Sequence, residues 1–520
     1  MKRLSRRFVY ILCLSVVAVA LFFLLQGQFR YVFLGIGDGQ VFLWDIDAWR
    51  DDILDIGGFS LWLNGFFVQF FHLPLAGTVI ASVLMTFTVA FTFRICSFIR
   101  GGFCMWMFPV MLFPTAFLCL DVVAESYSFQ AVTDYLLVTG ILLVCICHEE
   151  KVRIFRNAWL MLPAAVILIL ITGPILRPLT IPGSHRFICA AWISLAVCCI
   201  GSFVLGQTVA SESSVSFKGK VTSVPIGVLL LVLSSAAVSI PFFYFLKKYR
   251  QPRQEQVFQL SYYARNSQWS YITAVSRRMD MNNYMLLNYA NLALGCQGCL
   301  LEHWTDYKQD NVQALCIKSD LTVGCMSLLS MIYYEMGNIA AAQDMAFEAN
   351  QCQASAALLQ MLVRTNIIFG NYCVAEKYIA KLEKTLFYRD WAEGMRKFLN
   401  DEGVLSDPVL SSKRKGLPET DAFIVRDRII DDLFLLLEAD PTNVVARDYA
   451  IVYLHLSRDA TALLAFVDRF YGTEVLPALS VAMQMGLLSA TEGDLEYCRN
   501  HGVSDEIINL YGKQKKEEVR

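Results

Sequence analysis

The residues of this 520-residue chain best suited to chemistry are carboxylates set among aromatic and aliphatic neighbours. Asp38, Asp45, Asp47, Asp51, Asp52 and Asp55 follow the first long apolar run and are interleaved with Trp44 and Trp49. Asp121 and Glu125 occupy a short connection between two later apolar runs, and Asp134 lies just inside the second of these. Acids at membrane depth are costly, so by default they mark function. Such a cluster offers oxygen ligands to a divalent metal ion. It also offers a general base that takes the proton of an incoming hydroxyl. A solvated loop with helix caps explains any single acid of the first group more economically. Asp121, Glu125 and Asp134 resist that explanation, because their connection is short and its surroundings are apolar.

Other chemistry finds little support. No Gly-rich phosphate loop, His-Glu-x-x-His or nucleophile-elbow pattern occurs, and six His leave little room for zinc. Cys296-Gln297-Gly298-Cys299 has redox spacing but no βαβ surroundings. Two half-buried thiols at a helical turn are the simpler expectation, although the pair could bridge outside the cytoplasm. The second half holds seven Cys, an odd number, which excludes a pure disulfide framework.

The elements that must position the acids follow from composition. The chain is 56% hydrophobic and only 17% charged, against about a quarter charged in soluble domains. Residues 1–250 carry 18 Lys and Arg against 12 Asp and Glu, whereas residues 251–520 carry 26 against 34. The two halves suit different solvents, and the acidic second half argues against nucleic acid as a partner. Seven stretches reach the ~20 apolar residues that cross a bilayer: 8–29, 75–93, 101–120, 129–147, 157–176, 187–209 and 224–246. Residues 59–72 are too short to cross and rich in Phe and Trp, so an interfacial or re-entrant helix is expected there. Lys2, Arg3, Arg6 and Arg7 precede the first run, which is too long for a cleaved signal and predicts a retained anchor.

With the N-terminus inside, the inner loops hold seven Lys and Arg and the outer loops four, as the positive-inside rule asks. Lys247, Lys248, Arg250 and Arg253 break the rule, since seven spans place them outside. An eighth crossing at 59–72 would move the second half to the cytoplasm. Seven spans predict a plasma-membrane protein with an extracytoplasmic, periplasmic second half.

Beyond residue 254 the apolar period becomes helical. Leu329, Tyr333, Gly337, Ala342 and Ala349 fit the tetratricopeptide pattern of two short antiparallel helices. Gly370 and Ala375 repeat it, with Gly337 and Gly370 set 33 residues apart. Ala450, Tyr453, Ala462 and Phe466 match again after Asp440-Pro441-Thr442-Asn443, and residues 256–307 hold degenerate pairs. Residues 401–420, rich in Pro, Ser and Lys, predict a loop. The expected fold is all-α: a bundle of about seven transmembrane helices, then an α-solenoid whose concave face binds protein partners.

Two resemblances add to this. Gly57-Gly58-Phe59, Gln69-Phe70-Phe71-His72-Leu73-Pro74, Tyr262-Tyr263-Ala264-Arg265, Trp269 and Asn291-Leu292-Ala293-Leu294 resemble an uncharacterised family of bacterial membrane proteins with this layout. More loosely, the plan is similar to that of C-type membrane glycosyltransferases, which have a long first outer loop, acids in the second and often a soluble C-terminal domain. That similarity implies Asp38 or Asp47 as base, Asp121 with Glu125 on the metal or phosphate side, and a lipid-linked sugar donor. The chain departs from it in having no Asp-Glu pair or Asp-x-Asp where such enzymes often carry one, Asp45-Ile46-Asp47 excepted. Two functions therefore stand side by side: an envelope glycosyltransferase-like enzyme and a non-catalytic membrane-anchored scaffold.

Overall fold

The computed structural model describes residues 2–54, 58–100, 108–151, 186–212, 224–419 and 429–457, with a few positions between 462 and 470. Its regular elements are all helical, with no strand among the described residues. The chain divides into two compact units, Met1–Glu255 and Gln256–Arg520.

The first unit contains α1 (Lys2–Gln28), α2 (Arg30–Asp38), α3 (Ile46–Leu54), α4 (Gly58–Val68) and α5 (Ala76–Ile99). It continues with α6 (Phe113–Leu120), α7 (Gln130–Lys151), α8 (Arg186–Glu212) and α9 (Val224–Tyr249). Among the described residues, three helical stretches are long and apolar enough to cross a membrane: Phe8–Gln28, Ala76–Ile99 and Arg186–Val204. Gln130–Ile146 is apolar but shorter. The expected span at 157–176 lies outside the described residues.

The expected span at 101–120 takes a different form where it is described. A 3-10 turn (Pro109–Leu112), the eight-residue α6 and a π-helical turn (Asp121–Glu125) follow one another. Pro109 and Pro114 lack the N–H that a continuous ladder needs, so the hydrogen bonding is reset at each.

Helix α5 is the hub, packing against α1, α6, α7 and α8. Its inward face sets hydroxyls among Met85, Val89 and Phe93. Thr78 Oγ1 donates to Gln26 Oε1 of α1 at 2.6 Å, Thr88 pairs with Thr115 of α6, and Thr92 pairs with the Tyr135 hydroxyl of α7 at 2.6 Å. Its outward face carries Val79, Val83 and Phe87, all exposed. Helix α1 likewise exposes Phe8, Leu12, Val16, Val19 and Phe23, and α8 exposes Ile193, Val197, Ile200 and Val204.

The expected interfacial segment is α4 followed by a 3-10 turn, Gln69–His72. Eleven residues rise about 16 Å, half of a bilayer core. Its rings Phe59, Trp62 and Phe66 join Phe42, Trp44 and Trp49 in a continuous edge-to-face and stacked cluster. Gly37 of α2 and Gly77 of α5 lie against Phe71: a Cβ on Gly37 would sit 2.8 Å from the Phe71 carbonyl carbon, and one on Gly77 3.1 Å from its Cα. Only glycine permits so close an approach, and it leaves Phe71 fully buried.

The second unit is built of hairpins. Its helices are α10 (Pro252–Arg265), α11 (Trp269–Ser276), α12 (Tyr284–Cys296), α13 (Val323–Met336), α14 (Ile339–Cys352), α15 (Ala356–Phe369) and α16 (Tyr372–Glu383). Then come α17 (Arg389–Met395), α18 (Asp401–Ser406), α19 (Pro408–Lys415), α20 (Ile429–Ala439) and α21 (Val444–Ser457). Helices α13 to α16 pack in sequence, each on the next. Both of their hairpins turn on Gly-Asn, with Gly337 at φ 93° and Gly370 at φ 78°. This left-handed conformation ends a helix at little cost only for glycine. The fully buried Ala342 and Ala349 let α13 and α14 approach closely, and Ser330 Oγ donates to the Ala342 carbonyl.

Residues 401–420 are largely not the loop expected. Asn400 and Asp407 cap α18 and α19 through their side chains, Pro408 opens α19, and Leu410 is buried. Lys413 and Arg414 then reach elsewhere in the unit. The Lys413 ammonium donates to the Tyr334 carbonyl at 2.6 Å, at the end of α13, and the Arg414 guanidinium donates to the Ile367 and Ile368 carbonyls at 2.6 and 2.9 Å, at the end of α15. Pro, Ser and Lys density here marks helix starts and cation-capped carbonyls, not irregular chain. Cys296 ends α12, and Cys299 follows the Gly298 turn; both are half-buried free thiols.

Candidate functional site

The π-helical turn holds two of the four acids singled out. In this turn the Ser126 N–H donates to the Asp121 carbonyl at 2.9 Å, five residues back. Such turns bulge the chain and recur at functional sites. Tyr127 follows at φ 47°, a left-handed conformation that bulky residues rarely adopt.

The Asp121 side chain is 1% exposed. Its Oδ2 accepts from the Ser126 hydroxyl at 2.8 Å, while Oδ1 is buried with no hydrogen-bond partner. Burial lifts the carboxyl to about 7, the Ser126 hydroxyl opposes the rise, and the nearby Glu125 charge adds to it. A carboxyl held near neutrality can carry a proton or surrender it at physiological pH.

Glu125, at the other end of the turn, is committed to structure. Its Oε1 accepts from Arg186 Nε at 3.0 Å, and its Oε2 accepts from the Phe187 backbone N–H at 3.3 Å. It thus caps the start of α8, where a carboxylate meets the positive end of the helix dipole. The Arg186 guanidinium also lies over the Tyr249 ring at 4.9 Å.

Asp38 and Asp47 stand elsewhere, at the end of α2 and in the first turn of α3. The Asp47 side chain is 82% exposed and lies 3.8 Å from Arg50, a surface pair in its own helix. The structure therefore brings Asp121 and Glu125 together on one turn and leaves Asp38 and Asp47 on separate elements. Among the described residues no group of three or more His, Cys, Asp and Glu side chains is arranged to hold a metal ion.

Asp134 belongs to a second buried group. Its Oδ1 accepts from the Ser60 hydroxyl of α4 and from Gln130 Nε2 at 2.8 Å, and Gln130 Nε2 also reaches Ser60 Oγ at 2.7 Å. Ser60 and Gln130 were not among the expected site residues. Each stands four residues from another polar residue in an otherwise apolar stretch, Ser60 from Asn64 and Gln130 from Asp134, and that spacing is the signal that marks them. A run of short bonds joins the two acidic groups. The Ser128 N–H donates to Ser126 Oγ at 3.2 Å, and the Gln130 N–H donates to Ser128 Oγ at 3.3 Å.

No curated protein and no solved structure matches the chain. One family model does, over residues 3–516, nearly the whole length. The chain belongs to that family, described as a family of unknown function (DUF6057).

Proposed function

We propose that this protein is a multi-pass membrane protein of the bacterial envelope that anchors a tetratricopeptide-like scaffold domain. The observation that carries the reading is the apolar exterior of the first unit, with Val, Ile and Phe on the outside of α1, α5 and α8 and threonine hydroxyls paired among buried apolar side chains around α5. In water such a surface would be an aggregation liability. In hydrocarbon it costs nothing, and hydroxyl pairs and small residues are the usual glue between membrane helices. The shortness of α4 supports a segment that lies in the interface, which with seven spans puts the second unit on the periplasmic side. The paired Gly-Asn hairpins support a stack of repeats. Within that unit a cleft of about 270 Å³, lined by Lys318, Leu329, Tyr333, Asp344, Met345 and Tyr453, could take a partner's side chain.

A second reading, a glycosyltransferase-like enzyme acting on a lipid-linked sugar, is favoured by Asp121, a buried carboxyl with one free oxygen poised to exchange a proton. In that reading Asp121, rather than the exposed Asp47, holds the working proton. Two variants separate the readings in cells. A scaffold keeps its phenotype and the envelope glycan profile when Asp47→Asn and Asp121→Asn are combined, and loses the phenotype when residues 256–520 are removed. An altered glycan profile with Asp121→Asn alone, in protein that still reaches the membrane, would overturn the scaffold. A reporter active only in the cytoplasm, fused after Arg520, stays silent if the second unit is periplasmic.

A further inference from the structure

Two thiols meet where α5 packs on α8. Cys96 of α5 is 2% exposed and belongs to a buried apolar cluster that includes Phe93, Phe108 and Met111. Cys199 of α8 packs against that cluster but is only half-buried, and the adjacent Val197 and Ile200 are exposed. The side chains of Cys96 and Cys199 share a hydrogen bond. Cys198 is committed differently, its thiol donating to the Val110 carbonyl at 3.7 Å. Some hundred residues separate Cys96 from Cys199, so no local pattern marks the pair. Of the two cysteines that do have redox spacing, Cys296 and Cys299, the second donates its thiol to the Leu294 carbonyl at 3.7 Å.

We infer that Cys96 and Cys199 are a peroxide-oxidisable pair, in which hydrogen peroxide oxidises Cys199 and Cys96 then closes a disulfide that staples α5 to α8. A disulfide needs two thiols on closely approaching elements, and hydrogen-bonded thiols meet that need. Exposure divides the roles, because oxidation begins at the more accessible sulfur, here Cys199. Hydrogen peroxide is small and uncharged, which suits a half-buried sulfur in apolar surroundings. Cys199 Sγ attacks one peroxide oxygen, the O–O bond breaks, and the departing hydroxide leaves as water with the thiol proton. Cys96 Sγ then attacks the sulfenic sulfur of Cys199, the S–O bond breaks, and a second water leaves with the Cys96 proton. Two thiols become one disulfide and one peroxide becomes two waters. A dithiol reverses the step by exchange. The link closes a loop of about a hundred residues, which restricts the unfolded chain and stabilises the first unit.

The test treats the full-length protein in detergent micelles with hydrogen peroxide, alkylates the remaining thiols and maps them by mass spectrometry. The expected product is a pair of peptides joined through Cys96 and Cys199, lighter by two hydrogens than the reduced pair and separated by dithiothreitol. Fragmentation tells Cys199 from Cys198. Tm should rise by about 5 °C on oxidation and fall back on reduction. Cys96→Ser should leave the Cys199 sulfenic acid open to dimedone, and Cys199→Ser should leave the Cys96 thiol unoxidised. A link from Cys96 to Cys198, or to Cys13 of α1 in the same cluster, overturns the proposal. So does a Cys199 sulfenic acid that persists in the unaltered protein. Survival of both thiols under peroxide that oxidises the exposed Cys352 and Cys373 overturns it too, whether or not the variants fold.

Discussion

The two units solve the same problem, packing helices, in opposite ways. In the first, α5 buries Thr78, Ser82, Thr88 and Thr92 beside Met85, Val89 and Phe93, and exposes Val79, Val83 and Phe87. In the second, α13 buries Leu328, Leu329 and Ile332, and polar side chains gather at the helix ends. Thr322, Asn338, Ser355, Asn400, Asp407 and Asn443 each accept from a first-turn backbone N–H there. Helices α2, α5 and α6 of the first unit have no side-chain cap of this kind. On the membrane reading proposed above, the difference reflects what each unit has for a solvent. Burying apolar surface drives packing only when the alternative is water. Where the alternative is hydrocarbon, pairing hydroxyls and fitting shapes remain.

Four substitutions, in two pairs, press on that contrast. The largest effect is expected in the second unit, where Ile332→Ala removes a fully buried side chain and should cost about 4 kcal/mol in denaturant unfolding. Thr88→Val, as deeply buried in the first unit, should cost under ~1 kcal/mol. Equal costs would break the comparison. Next, Phe87→Asp at the exposed middle of α5 should penalise membrane insertion by about 3 kcal/mol, read as loss from the membrane fraction. Phe347→Asp, similarly exposed on α14, should shift stability by only about 0.5 kcal/mol. If Phe87→Asp is as mild, the outer face of the first unit meets water.

A pH dependence sharpens the picture at Asp121. Its carboxyl titrates near 7 in the folded protein, above its ordinary value of 3.8, so the folded state binds the extra proton. The resulting stability is fully present below pH 3.8 and is lost as pH rises through 7. Asp121→Asn should flatten the dependence of Tm on pH over that window. At pH 8 it should be more stable than the unaltered protein. A variant as pH-sensitive as the parent would place the titration elsewhere.

Much of this was legible in the residues. Uncharged runs marked α1, α5 and α8, and Gly337 and Gly370 marked the hairpin turns, because lipid and left-handed backbone each admit few residue types. The acids were legible as a set but not by role. Asp47 and Asp121 look alike in sequence; one is solvated and the other enclosed, and only packing decides which. Glu125 could not be recognised as the cap of α8, since its partners Arg186 and Phe187 lie some sixty residues away. The helices at 401–415 were hidden for a related reason. Their stabilising contacts are the carbonyls of α13 and α15, and no local pattern records a distant carbonyl.

Those contacts also change how the second unit should respond to force and heat. A stack of repeats behaves as a chain of nearest-neighbour springs, in which one hairpin can loosen while the rest hold. Lys413 and Arg414, adjacent on α19, grip the ends of α13 and α15, the leading helices of successive hairpins. One short helix thus ties two successive hairpins together, and the pair is expected to open as one cooperative block. A partner that displaced α19 would release both hairpins at once, so a small local event would be felt across the array.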